Sequence, residues 1–411
     1  MGPMAGDVRR ILIAQGLRAF AYGFGSVLLG ASLEARGWST FQVGGLLTAV
    51  VAGTALMSVA VGTFAERLGR RRWYAALFLG LAGSGVVFSL SDDLWLLVLV
   101  ALAGTLSTEV VESGPFTSLE QAMLPSGLSG QATTRVFGVY NAVAALVGSG
   151  GALAAGGPAL LRELWGGVPA DERFFLVFVP VGLAGAGVAW SLSARVEAGR
   201  GSAPGRAPLR ASRGAVGRLA ALFAVDSFAG GFVVQSFVAY WFRLKFGLSL
   251  EVLGALFFGV GLLQTASFLA APRLAERIGL LNTMVFTHLP SNVLLAAIAF
   301  APNLATAVGL LLARQALSQM DVPARQAFIA LLVSPEERTA AAAYTNAARY
   351  ATRPLGPLLA GAGQQIATGL PFVIGGGIKI VYDLAIWLQF RRVPMPAQGE
   401  ASERSEKEAP T

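Results

Sequence analysis

The stretch that decides the fold is AERLGR, residues 65–70, which lies between long apolar runs in VGTFAERLGRRRW. A shorter version of it, AERIG, occupies residues 275–279. Glu66 and Glu276 are 210 positions apart in a chain of 411 residues. A charged phrase that recurs at about half the chain length indicates that the two halves of the chain are copies of one unit.

The composition places these halves in a membrane. Hydrophobic residues make up 55% of the chain and charged residues 13%, with a mean hydropathy of +0.63. A soluble protein would carry about a quarter of its residues as charged ones. Cysteine is absent, which excludes disulfides and thiolate metal sites. The formal charge of +8 comes from short basic clusters spread along the chain, a pattern typical of membrane topology and not of nucleic-acid binding.

Twelve segments satisfy the requirement of about 20 mostly apolar residues for a helix that crosses the hydrocarbon core. The predicted spans are residues 11–33, 41–64, 73–91, 94–116, 136–160, 174–192, 219–241, 253–272, 282–300, 304–322, 341–360 and 371–390. They predict an all-α integral membrane protein with two pseudo-symmetric six-helix halves. A further echo, SLEQAMLPS and IALLVSPEE, places Pro125 and Pro335 after the fourth span of each half.

The polar segments between the spans predict the domain organisation. Residues 1–195 and 218–393 form the two six-helix bundles. The connector at 196–217 is rich in Gly, Ala, Pro, Ser and Arg, and the tail at 394–411 is too polar to fold alone. Basic residues concentrate in the connector and in the loops on the same side, so both termini are predicted to be cytoplasmic. The expected location is the plasma membrane, in a bacterium the inner membrane.

The run GTFAERLGRR, residues 62–71, resembles the loop signature GxxxDRxGRR of the major facilitator superfamily, with Glu in place of Asp. The shorter copy lies where that family repeats the signature. The resemblance implies the fold of that family, and it extends to the drug-efflux branches of the family. It also implies a cytoplasmic gate that holds the outward-facing state; the alternative is that the arginines only fix the topology. The predicted gate residues are Gly62, Glu66, Arg67, Gly69, Arg70, Arg71, Glu276 and Arg277, joined at the end of the tenth span by Asp321 and Arg325.

Polar side chains inside a membrane are costly unless they are paired or hydrated. They form stripes at helical spacing on the first, fourth, seventh and tenth spans, which line the central cavity in the family that the sequence resembles. The predicted substrate or proton pathway consists of Arg18, Tyr22, Glu109, Glu112, Asp226, Gln235 and Arg314. Arg18 is expected to pair with Glu109 or Glu112, and Asp226 with Arg314. Pairs that merely hold helices together are the alternative.

Three further polar residues are predicted to have local roles. Lys379 and Asp383 are four residues apart on the last span and are expected to satisfy each other. His288, the single histidine, is interpreted as a polar packing residue. We expect no metal site and no cofactor.

The function that these observations favour is secondary active transport by alternating access, and not an enzymatic reaction. The chain has no phosphate-binding GxxxxGK[ST] loop. The leading hypothesis is an antiporter for proton-coupled efflux of a small organic compound or drug. The alternatives are transport of an inorganic ion or small charged metabolite, and a non-transporting receptor or scaffold on the same fold. The expected partners are the lipid bilayer, a small-molecule substrate and protons, without nucleic acid, and the expected state is a monomer.

Overall fold

The computed structural model describes residues 3–107, 110, 114–123, 130–197, 212–333 and 337–392, and its regular structure there is helical. The helices of the first half are α1 (Pro3–Ala35), α2 (Thr40–Leu68), α3 (Arg70–Leu90), α4 (Leu94–Leu102), α5 (Gly114–Met123), α6 (Gly130–Ala154), α7 (Gly157–Leu164) and α8 (Phe178–Ser191). The helices of the second half are α9 (Arg213–Gly231), α10 (Gln235–Phe246), α11 (Leu250–Ile278), α12 (Leu280–Ile298), α13 (Leu304–Ser318), α14 (Asp321–Leu332), α15 (Arg338–Thr352), α16 (Leu355–Ile366) and α17 (Leu370–Phe390).

Nine helical runs within the described ranges are long and apolar enough to cross a bilayer. The other three predicted spans are the fourth, the tenth and the eleventh. Each of them consists of two shorter helices: α4 with α5, α13 with α14, and α15 with α16. The prediction of an all-α fold with twelve spans is therefore confirmed, although these three spans are interrupted, as is the seventh span between α9 and α10.

The fourth span departs furthest from its predicted bounds of 94–116. α4 stops well before the predicted end, and α5 continues beyond it, into a segment predicted to be a loop. Gly114 and Pro115 stand at the start of α5, where proline is favoured because its missing N–H leaves no helical bond unmade. The span therefore reaches Glu120, which the predicted bounds exclude.

Where the fourth span unwinds, side-chain hydroxyls donate hydrogen bonds to the backbone carbonyls that the helix leaves without a partner. Gly104, with a φ of +72°, lies at the start of the unwound segment. The Thr54 hydroxyl donates to the carbonyl of Leu106 at 3.0 Å, and the Tyr22 hydroxyl donates to the carbonyl of Thr105 at 2.8 Å. Such partners are required because a freed carbonyl cannot bind water in the interior of a bilayer.

The tenth span breaks between α13 and α14. Pro323 lies in the first turn of α14 and lacks the N–H that a continuous helix would donate to the carbonyl of Gln319. The span then continues through α14, past its predicted end at 322. The fourth and tenth spans hold corresponding positions in the two halves. Paired interruptions of this kind mark the substrate site in transporters that are built from repeats.

The two halves pack together towards one face of the membrane. We call the face with the start of α1, the α2–α3 loop and the end of α17 the termini side, and the opposite face the far side. α1 contacts α10, α2 contacts α16, and α6 contacts α11. Small residues permit this approach on the far side. A Cβ atom added to Gly44 would lie only 2.5 Å from the carbonyl oxygen of Pro357.

Hydrogen bonds between α1 and α10 reinforce this contact. Arg243 Nε donates to Glu34 Oε2 at 2.8 Å near the far side, and Gln235 Nε2 donates to Ser26 Oγ at 2.7 Å deeper in the bundle. The far side is thus held closed by direct bonds between the halves.

The outer surface of the bundle is apolar, as a bilayer requires. Leu56, Leu99, Leu183 and Val381 come from four different spans, and each is more than half exposed. Lipid tails cover such side chains at no cost, so the fold is that of an integral membrane protein.

The predicted connector is only partly described. A helical turn at Ala194–Glu197 follows α8, and α9 already includes residues 213–217. Residues 198–211 and the predicted tail at 394–411 lie outside the described residues. The division of the chain into domains at 195 and 218 stays a prediction.

Candidate functional site

A cavity lies where the spans are interrupted, and its described wall comes from the second half and from Val110 of the first half. The breaks in the fourth, seventh and tenth spans reach its wall through Val110, Val233 and Gln319. The ionisable side chains that line it are Asp226, His288, Arg314, Asp321, Arg325, Arg349, Arg353 and Lys379. The polar groups of the second half therefore converge on one space, as the predicted pathway required of Asp226 and Arg314.

The described wall of this cavity carries more positive than negative charge. Apart from His288, five of the lining residues are Arg or Lys and two are Asp. Glu109 and Glu112 were also predicted in the pathway and lie outside the described residues. Adding both to the wall would still leave an excess of basic charge. A recess lined by one sign of charge concentrates solutes of the opposite sign.

Asp226 on α9 is the centre of the buried charges in the second half. Lys379 Nζ lies 2.5 Å from its Oδ1, and Arg325 Nη1 lies 3.7 Å from its Oδ2. His288 Nε2 is 4.0 Å from Oδ1. All four side chains are less than a tenth exposed and all four line the cavity, so one carboxylate faces three basic groups at the cavity wall.

A second carboxylate, Asp383 on α17, lies behind His288. The His288 Nδ1 atom is 2.8 Å from Asp383 Oδ1, and Asn292 Nδ2 donates to Asp383 Oδ2 at 2.8 Å. The ring of Tyr382 meets the imidazole edge-on, with 6.1 Å between centroids. His288 therefore stands between two carboxylates, with one ring nitrogen facing each.

Asp321 and Arg325 form the third part of this cluster. Arg325 Nη1 lies 3.3 Å from Asp321 Oδ2, one helical turn away in α14, and the guanidinium is 5.6 Å from the ring centre of Phe223. Both residues line the cavity. Their predicted role at a gate stays a prediction, but in this conformation they belong to the cavity wall.

Two pairings predicted for the second half are wrong. Asp226 is bound by Lys379, where Arg314 was the expected partner, although Arg314 lines the same cavity. Lys379 and Asp383 were expected to satisfy each other. Both lie on one face of α17, but Lys379 reaches across to α9 and Asp383 reaches across to α12. His288, predicted to be a packing residue, is therefore part of the site.

A separate cluster of buried charge fills the interior of the first half. Arg18 donates to both carboxylate oxygens of Glu120, from Nε at 3.1 Å and from Nη2 at 2.9 Å. Tyr74 donates to Glu120 Oε1 at 2.8 Å, and the Tyr140 hydroxyl hydrogen-bonds to Oε2. All four side chains are almost completely buried. The pair is neutral and its carboxylate is satisfied on both oxygens.

Aromatic rings enclose the guanidinium of Arg18. Its carbon lies 5.6 Å from the ring centre of Tyr22 and 5.8 Å from that of Phe116. Cations in such positions are attracted to the ring faces. Tyr22 is itself buried. Arg18 and Tyr22, both predicted on the transport pathway, thus lie inside the first half in a closed arrangement.

Glu120 is a partner of Arg18 that the sequence did not predict, and the predicted pairing with Glu109 or Glu112 stays a prediction. Glu109 and Glu112 were expected, and both lie outside the described residues. Glu120 was missed because a hydropathy window assigns it to the loop after the fourth span. The Gly-Pro pair at Gly114 was the signal that a new helix begins there.

The first copy of the repeated phrase is tied to Val196 and Glu197, the first two residues of the predicted connector. Gly69, with a φ of +97°, separates α2 from α3. The Glu197 carboxylate accepts from the backbone N–H of Arg70 at 2.8 Å and of Arg71 at 3.0 Å. Arg70 Nη1 also donates to the carbonyl of Val196 at 3.3 Å. The carboxylate thus caps the start of α3, where the helix dipole favours negative charge.

Both copies end their helix in the same way. The Gly69 N–H donates to Ala65 O and the Gly279 N–H to Ala275 O, each at 2.9 Å, and Gly279 also has a positive φ, of +83°. The duplication read from the sequence is therefore present in the backbone.

Four of the other predicted gate residues lie at the surface of the molecule. Gly62, Arg67, Glu276 and Arg277 are exposed. The side chain of Glu66 is outside the described part of the chain. A latch between the two halves stays a prediction, since Arg70 contacts Val196 and Glu197, which directly follow the first bundle in the chain.

Comparisons with known proteins agree with this architecture. "Uncharacterized membrane protein YJR124C" of Saccharomyces cerevisiae is 23% identical and aligns over 93% of this chain and 94% of its own length. The human organic anion transporter MFSD10 has a similar structure, with a TM-score of 0.67, 16% identity, and coverage of 94% of this chain and 100% of its own. The inward-open xylose transporter XylE from E. coli gives a TM-score of 0.72 at 12% identity, over 95% of this chain and 97% of its own. At these identities the structures show a shared fold.

Two repeated six-helix halves around a charged central cavity define a membrane transporter. The Major Facilitator Superfamily profile matches residues 11–318, and the chain belongs to that family. Its family and fold are those of transporters and not of enzymes.

Proposed function

We propose that the protein is a secondary active transporter for a small organic anion. The observation that carries the proposal is the basic excess in the wall of the central cavity, five Arg or Lys against two Asp among the described residues. This favours the small charged metabolite over the drug-like compound as the solute. An organic cation would meet net repulsion in the same cavity.

The closed far side supports alternating access as the mechanism. The halves are joined there by Arg243–Glu34 and by the close approach at Gly44. We propose that the termini side faces the cytoplasm, because the basic loops lie on that side. The structure then corresponds to an inward-facing state of a plasma-membrane protein, and transport requires the far side to open as the termini side closes.

We further propose that protons are the coupling ion and that one chain is the transporting unit. The buried cluster around Asp226 contains groups that can gain or lose a proton beside the cavity.

Transport by the purified protein in liposomes tests the proposal. Uptake of succinate, glucuronate and benzenesulfonate is compared with uptake of their uncharged counterparts succinamide, glucose and benzenesulfonamide. At least one anion should enter faster than its neutral counterpart. Uptake of tetraphenylphosphonium without any anion would support drug efflux instead. Binding without any flux, in folded protein, would support a receptor.

A further inference from the structure

The buried cluster of the second half contains more acidic side chains than permanent cations. Its acidic members are Asp226, Asp321 and Asp383, and its permanent cations are Arg325 and Lys379. These cations contact Asp226 and Asp321, whereas Asp383 contacts His288 and Asn292. The set becomes neutral when His288 carries a proton, because the protonated ring donates from both nitrogens.

We propose that His288 is the proton-binding residue of the transport cycle, and that the proton and the transported anion bind together. The proposal rests on the anionic solute inferred above. It makes the protein a co-transporter of an anion with a proton, in place of the antiporter expected from the sequence.

The geometry around Lys379 links the two binding events. Lys379 lines the cavity, and its Nζ is the cation closest to Asp226. An anion that attracts Lys379 weakens the pairing of Asp226 within the cluster. A protonated His288 can compensate, because Nε2 already faces Asp226 at 4.0 Å while Nδ1 holds Asp383 at 2.8 Å. Linkage is reciprocal, so the proton then favours the anion as much as the anion favours the proton.

Each helix that packs against α12 near His288 places a charged or polar group close to the histidine or on the same cavity wall. α9 contributes Asp226, and α17 contributes Lys379, Tyr382 and Asp383, with the tyrosine ring edge-on to the imidazole. α14 contributes the pair of Asp321 and Arg325. α13 places Arg314 on the same cavity wall, and α11 places the uncharged Gln264 there. Asp226 and Asp321 each have a permanent cation within 4 Å, and the basic group in contact with Asp383 is His288, so a proton on His288 completes the direct pairing of these three carboxylates.

The single histidine makes the proposal directly measurable. Protein labelled with ¹³C at histidine Cε1 and freed of any affinity tag gives one imidazole resonance, which reports the protonation of His288. Lys379→Gln should raise the pH at which this resonance titrates by at least about one unit, a tenfold change, and Asp226→Asn should lower it. Lys245→Gln, at the far side, is the matched control and should leave the titration unchanged. Equal titration in all four proteins would overturn the proposal.

The link to the anion is tested in the same sample. Succinate, glucuronate and benzenesulfonate are added in turn at fixed pH. The anion that the liposome assay shows to be transported should move the resonance towards its protonated position, and its uncharged counterpart should not. A transported anion that leaves the resonance in place, or moves it the other way, would overturn the linkage while the proposed function stands. Absence of any anion transport would overturn the proposed function instead.

The sign of proton movement gives an independent readout. Liposomes that contain the dye pyranine and the wild-type protein receive an inward gradient of the transported anion at equal pH on both sides. Co-transport acidifies the lumen as the anion enters. Exchange makes the lumen more alkaline, and this outcome would overturn the proposal even if His288 titrates as expected.

Discussion

The two halves of this transporter share one backbone plan, yet their buried charges are arranged in opposite ways. In the first half Arg18 and Glu120 are held by two bonds to each other and sealed by tyrosines. In the second half Asp226 is shared among Lys379, Arg325 and His288 at the edge of the cavity. The first arrangement is closed and balanced, and the second is open and needs a proton for balance.

This difference indicates a division of labour between the halves. A fully satisfied buried network makes its helices rigid, because each polar group would be costly to separate from its partners. A cluster with an alternative protonation state can instead respond to a solute. We infer that the first half acts as a rigid body while the second half carries the chemistry of transport.

The largest expected effect is on the stability of the first half. Glu120→Gln removes the charge that compensates Arg18, which is completely buried, and should destabilise the protein by about 3–5 kcal/mol. The exposed Glu276→Gln is the matched control. Unfolding in detergent, followed by tryptophan fluorescence, measures the difference. The double variant Arg18→Met with Glu120→Leu should recover most of the loss, because it removes both charges. A stable Glu120→Gln protein would mean that this cluster is hydrated and not closed.

The second half should show the reverse pattern, with function lost and the fold kept. Asp226→Asn preserves the shape of the side chain beside a cavity that water can enter. Removing the carboxylate eliminates the group that Lys379 and His288 share. We expect pH-gradient-driven uptake of the transported anion to be abolished, at wild-type expression and with a melting temperature close to that of the wild type. Uptake at the wild-type rate would exclude Asp226 from the coupling mechanism.

Much of the fold followed from the sequence because the physical constraint is strong. A bilayer permits few alternatives to apolar helices of fixed length, so hydropathy located all twelve spans. The helices of the second and eighth spans run past their predicted ends at 64 and 272, and they stop at Gly69 and Gly279, which both adopt a positive φ. What hydropathy could not give is where a span is interrupted. The end of the fourth span was misplaced because polar residues in a span and polar residues in a loop look alike.

The sequence predicted residues that line the candidate site, but it did not predict how the buried charges pair. Asp226, Gln235 and Arg314 were found from helical spacing, and all three line the cavity. The partners of the buried charges were not found, because a charge on one helix selects its partner by the rotation and tilt of another. Lys379 is one turn from Asp383 in the chain, yet its partner is 153 residues away.

A substitution at a contact between the halves should have a smaller effect. It should change the ratio of conformations with an open and with a closed far side. Gly44→Ala places a methyl group 2.5 Å from the Pro357 carbonyl, so it should oppose closure of the far side. Gly45→Ala is the matched control, since nothing lies within 4 Å of its added methyl group. Spin labels at Trp95 and Phe300, both exposed, report the distance between the halves.

We expect Gly44→Ala to shift the label distances towards longer values and Gly45→Ala to leave them unchanged. Identical distributions in the two variants would mean that the far side adjusts to the methyl group without opening. The interface would then be more tolerant than the rigid first half suggests.

The smallest expected effect comes from the repeated phrase, where the two halves can be compared residue by residue. Arg70 in the first copy donates to the carbonyl of Val196 and starts the helix that Glu197 caps, whereas Arg277 in the second copy is exposed. The second copy also has leucines at 280 and 281 where the first has Arg70 and Arg71. Arg70→Ala should therefore reduce transport more than Arg277→Ala.

Initial uptake rates of the transported anion, at equal protein per liposome, decide the order. Charge-assisted hydrogen bonds are stronger than neutral ones, so removing Arg70 both loosens the anchor of α3 and removes a cation available to a latch. Arg277→Ala removes the same charge from the same side of the membrane without an anchoring contact, which makes it the matched control. If Arg277→Ala proved more damaging, the second copy would be the working latch. The division of labour between a rigid first half and a responsive second half would then extend to the predicted gate.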